Sequence, residues 1–67
     1  MAVAKVVELI SSSKESFDDA VKTGIERACK TLEGVQGAWV QDQKVSIVDG
    51  KISEYRVCLK VTFVLGD

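Results

Sequence analysis

The sequence predicts an α+β domain of order β-α-β-β, and three observations carry that prediction. From Tyr55 to Leu65 every second residue is apolar, and period-two alternation marks a strand with one buried face. Phe17, Val21, Ile25, Ala28 and Leu32 recur at steps of three and four, the spacing of an amphipathic helix. Asp49-Gly50 lies between two β-prone runs, and both residues tolerate the positive φ that a tight hairpin needs. A chain of 67 residues has room for one domain, spanning 1–67, and a core this small calls for help from disulfides, metal or partner copies.

The first strand is expected over Val3 to Ile10, with Lys5, Val7 and Leu9 on one side and Val6, Glu8 and Ile10 on the other. Three serines break that run. Ser12 with Glu15 has capping-box spacing, which predicts a helix from Ser13 to Glu33, with Asp18 and Asp19 suited to the positive end of its dipole. Ala20, Gly24 and Ala28 form a row of small residues. Gly24 costs about 1 kcal/mol of helix propensity against alanine, so close approach of a strand or another subunit is expected there. Gly34 fits the left-handed position that closes a helix.

The second strand, Val35 to Val48, divides by alternation into two faces. Gly37, Trp39, Gln41, Gln43, Val45 and Ile47 share one; Ala38, Val40, Asp42, Lys44, Ser46 and Val48 share the other. If Ala38 and Val40 join Tyr55, Val57 and Leu59 under the helix, then Gly37, Trp39 and Gln41 lie outside with Arg56, Cys58 and Lys60. One helix covers one face, so the other is left for partner copies or a flat ligand. The indole of Trp39 suits either use. Phe63 and Leu32 are read as core.

Nine basic against ten acidic residues give a formal charge of −1, so no general attraction to nucleic acid or to an anionic membrane follows. No apolar run reaches the ~20 residues of a membrane span, and Met1 to Lys5 lacks an export-signal pattern, so a reducing, cytoplasmic setting is expected. Two cysteines, Cys29 and Cys58, have no paired spacing and no histidine to activate them, and read as structural thiols. Without histidine, a phosphate loop or a carboxylate pair placed for proton transfer, no catalytic residue is assigned and a non-enzymatic role is expected. Arg56 can pair with Glu54, Asp42 or a neighbouring subunit's carboxylate, or donate to a ligand. The scattered carboxylates form no calcium-binding loop; a bridging cation on a symmetry axis stays open, with no metal ligand assigned.

Lys5-Val6-Val7-Glu8-Leu9, Glu15-Ser16-Phe17, Ile25-Glu26-Arg27-Ala28, Val40-Gln41-Asp42-Gln43, and Tyr55-Arg56-Val57 leading to Lys60-Val61-Thr62-Phe63 follow one another with a spacing that resembles the dodecins over nearly the whole chain. The resemblance implies a three-stranded antiparallel sheet partly wrapped around one long helix, and a hollow shell of twelve copies. In many members it implies flavins stacked in pairs between tryptophans of related subunits, for storage rather than catalysis. In the family's pattern the stacking tryptophan falls at Gly37 and the glutamine that meets the flavin's polar edge falls at Arg56. Both are changed here, as in the branch lacking that tryptophan, which includes calcium-associated members. The family's two contact positions, Gly37 and Arg56, together with Trp39 and Gln41 from the outer-face reading, are the expected cofactor-binding positions, and the resemblance implies riboflavin or FMN as the ligand in a homo-oligomer. The alternative is an assembly module or divalent-cation (calcium) binder without a flavin role.

Overall fold

A computed structural model describes residues 3–66; Met1, Ala2 and Asp67, which belong to the expected opening segment and domain ends, lie outside them. The elements are β1 (Ala4–Ser13), α1 (Phe17–Thr31), β2 (Val35–Val48) and β3 (Lys51–Val64). The predicted β-α-β-β order is the observed one. The sheet runs β1-β3-β2, both pairings antiparallel, so the C-terminal strand is central and the crossing of α1 lets β1 reach its far side. Asp49 (φ 52°) and Gly50 (φ 75°) both take left-handed backbone, as a two-residue hairpin turn requires.

The core lies where α1 meets the middle of β3. Val57, Leu59 and Val61 are fully buried beneath Ala20 and Ala28, with Val7, Leu9, Phe17, Val21, Ile25, Leu32 and Val35 packed around them. Each of the three β3 side chains contributes about 1.5–3 kcal/mol by leaving water. Phe63 is only half-buried and stands outside this cluster, and Leu32 is at its margin, so the expected core is shifted toward the middle of β3. The small-residue row has the expected purpose. A Cβ on Gly24 would stand 2.8 Å from Leu59 Cδ1 and 2.9 Å from Ser11 Cβ, so glycine here lets the helix settle onto two strands at once.

Three features differ from the sequence reading. Strand β1 continues through Ser13, because Ser11, Ser12 and Ser13 pair with Val57, Arg56 and Tyr55. The helix therefore begins later, at Phe17. Its cap is Ser16, whose Oγ accepts the Asp19 N–H at 3.0 Å, in place of the Ser12–Glu15 box. Ser13 Oγ takes the Glu15 N–H at 2.9 Å and donates to Asp19 Oδ2 at 2.6 Å, tying the strand end to the first turn. At the other end Leu32 caps α1 in extended conformation. Gly34 is left-handed (φ 74°) but serves the entry to β2, its carbonyl accepting the Val64 N–H at 2.9 Å.

The third difference matters most. Strand β2 carries irregularities between Val35 and Gly37 and between Val40 and Asp42, and the hairpin end has another between Ser46 and Ile47. Gln41 is an extra residue opposite the Leu59–Cys58 step, and an extra residue exchanges the two faces of everything beyond it. Asp42 pairs with Cys58 and Lys44 with Arg56 on the outer face, while Gln43 opposite Val57 and Val45 opposite Tyr55 turn to the helix side. Simple alternation assigns these four residues the other way round.

Candidate outer-face ligand site

The outer face is built in rungs across three strands. Val6, Thr62 and Gly37 form one; Glu8, Lys60 and Trp39 the next; then Ile10, Cys58 and Asp42 with the extra Gln41; then Ser12, Arg56 and Lys44. No element among the described residues lies over it. Ile10 is 67% and Trp39 51% exposed, although both are large and apolar. On so small a chain these two leave large apolar area open to solvent on the outer face.

Charge on the face is ordered. Lys60 Nζ meets Glu8 Oε2 at 3.0 Å, and Arg56 meets Glu54 Oε1 at 3.3 Å. The hydrogen bond from Lys60, and then its charge, hold the Glu8 carboxyl below its ordinary pKa. Cys58 is pushed up, first by desolvation and then by the carboxylates of Glu8 and Asp42, so its thiol stays protonated at neutral pH. The Cys58 thiol points to Gln41 Oε1 at 3.9 Å. Nothing in this arrangement activates a nucleophile.

Of the four positions expected to bind a cofactor, Gly37, Trp39 and Gln41 follow one another along β2, and Arg56 lies two rungs from Trp39 on β3. A Cβ on Gly37 would meet nothing within 4 Å, so open space stands there. The four border two different hollows. Gly37 and Trp39 edge an apolar groove of about 480 Å³ between β2 and α1, together with Val21, Ile25, Cys29 and Val40. Gln41 and Arg56 line a polar hollow of about 260 Å³ with Glu8, Ile10, Asp42, Lys44 and Cys58. Trp39 belongs to the outer face by its pairing with Lys60 and to the groove by its place on an edge strand. Alternation missed Asp42 and Lys44 because it set them on the helix side. The only sequence signal for the bulge is that β2 loses its apolar period after Val40, where Gln41, Asp42, Gln43 and Lys44 are all polar.

Comparison with known proteins agrees with this geometry. Residues 3–66 match the Dodecin family. The chain belongs to the dodecin family. A dodecin of Thermus thermophilus is 35% identical over 65 residues, covering 97% of this chain and 94% of that one. The crystal structure of a substituted T. thermophilus dodecin superposes with a TM-score of 0.94 at 33% identity over the full length of both chains. A Mycobacterium tuberculosis calcium dodecin, described as calcium-chelating and as having a novel calcium-binding site, superposes at 0.83 and 31% identity, with 96% of this chain and 91% of that one covered. The β-α-β-β order, the antiparallel three-stranded sheet and the single helix are those of the dodecin fold.

Proposed function

We infer that this protein is a non-catalytic binding and storage protein of the cytoplasm. It works as a homo-oligomeric shell, twelve copies in the dodecin pattern, and holds flavin, riboflavin or FMN, against the outer sheet face between copies. The observation that carries this reading is the bare outer face with a half-exposed indole at its edge. A rigid aromatic plane beside open space at Gly37 suits a flat ring, and Gln41 and Arg56 supply an acceptor and donors farther along the same face.

Adding the purified protein to riboflavin or FMN tests it. The expected result is quenched flavin fluorescence, with native mass spectrometry giving a multiple of the subunit mass that retains flavin. Undiminished fluorescence would defeat the ligand reading, and a monomer mass the shell.

The calcium dodecin among the relatives favours a second reading, a divalent-cation binder without flavin. Among the described residues no group of three or more acidic or cysteine side chains could hold a metal within one subunit. A cation would therefore sit between copies, where symmetry repeats a carboxylate such as Asp42. A melting temperature raised by calcium and lowered by chelator, with no flavin quenching, is the outcome that selects this reading.

A further inference from the structure

Two apolar surfaces of this chain lie where the chain itself cannot join them. The first is at the tip of the β2–β3 ribbon. Val45 lies opposite Tyr55 on the helix side, and alternation along β2 puts Ile47 on that side too. Ser53 is passed over in the pairing, so Ile52 comes opposite Ile47 and joins the same face. Phe17, at the start of α1, packs edge-on against Tyr55 with ring centres 5.1 Å apart. The helix runs the other way from there, which leaves Val45, Ile47 and Ile52 exposed. The second surface is a groove of about 610 Å³ between α1 and the edge strand β1, with half-buried Val7, Leu9 and Leu32 inside it and exposed Thr23, Arg27 and Thr31 along the helix. The tip points away from its own groove. Lys51 stands four residues beyond the pairing of Tyr55 with the last residue of β1, about 13 Å further on, in a molecule 51 Å long and 13 Å across its thinnest axis.

Charge matches the two surfaces. Among the described residues neither Arg27 on the groove nor Asp49 at the turn has an ion-pair partner in its own subunit. Lys51 shares the next rung with Val48, on the outer side, so the cation of the tip lies away from the apolar stripe. We propose that the ribbon tip of one copy seats in the β1–α1 groove of a second copy, with Val45, Ile47 and Ile52 against its apolar lining and Asp49 meeting Arg27. Such a contact joins different patches head to tail, and it closes into a ring where the rotation between copies allows. The proposal rests on the shell reading above and names a contact that builds it.

Native mass spectrometry and cross-linking test this. Ile47→Asp is expected to give a smaller native mass than the parent, with the circular dichroism of the subunit unchanged because Ile47 is exposed. In Arg27→Glu the assembly is expected to come apart at a protein concentration about two- to fivefold higher at low salt, the difference vanishing at high salt. For the cross-link, both native cysteines are changed to serine, and copies carrying Ile47→Cys are co-expressed with isotope-labelled copies carrying Thr23→Cys or Thr31→Cys. A short bis-maleimide is expected to join one copy of each kind. A tip-to-tip product from Ile47→Cys copies alone, or no mixed product with either threonine variant, overturns the groove as the tip's seat. A parent-sized Ile47→Asp assembly overturns the docking and leaves the shell standing with another occupant in the groove. A parent protein of monomer mass defeats the shell reading and this one with it.

Discussion

Replacing Gly24 by alanine sets two effects against each other. Alanine gains about 1 kcal/mol of helix propensity, but its methyl would lie 2.8 Å from Leu59 Cδ1 and 2.9 Å from Ser11 Cβ. The leucine tip can swing aside; the serine Cβ is fixed to its strand. Overpacking of this kind costs about 1–3 kcal/mol, so Gly24→Ala is expected to melt several degrees lower than the parent, and a higher melting temperature would refute the close approach. Glu8 gives a pH prediction. Its pKa is lowered in the folded chain by Lys60, so the stability it adds is full above the ordinary value of 4.5 and is lost as pH falls through the lowered one. Glu8→Gln should flatten the stability profile in that acid window and leave its shape at neutral pH unchanged, as acid titration by circular dichroism would show.

At the scale of elements, the helix is held by its cap and by the strand beneath it. Ser16→Ala removes the acceptor for the Asp19 N–H and should cost about 0.5–2 kcal/mol in urea denaturation. Leu59→Ala opens a hole under Gly24 and should cost about 2–5 kcal/mol, several times the cap. Equal losses for the two would mean the core is not centred on β3. The helix was legible from its apolar spacing, yet its start was not. Ser12 and Ser16 each have an acidic residue three positions on, and only the pairing of Ser13 with Tyr55 decides that the strand keeps the first and the helix takes the second.

For the whole molecule, the disproportion between helix and strands governs behaviour. A 15-residue helix is about 22 Å long, against about 47 Å for a 14-residue strand, and the molecule extends 51 Å along its longest axis. Beyond Tyr55 the β2–β3 ribbon therefore outruns both β1 and α1, leaving Ile47 64% exposed together with Val48 and Ile52. A two-stranded ribbon is marginal alone in water, which supports a chain that works in company. Trp39→Ala should leave the far-UV circular dichroism of the subunit intact while reducing assembly or flavin quenching. Loss of the helical signal instead would put the indole in the subunit core.

The sequence by itself determined the element types, the hairpin, the two faces of β1 and of β3, and the uncovered sheet side, because each follows from a periodicity or a turn that residues near in the chain impose. The resemblance to dodecins was legible for the same reason, as an order of short segments. Only the tertiary structure decided that β3 is central, where Gly24 meets Ser11 and Leu59, and which face Asp42 and Lys44 occupy. Register belongs to a pair of strands rather than to either one, and a single unpaired residue such as Gln41 reverses every side chain beyond it without altering the sequence period that precedes it.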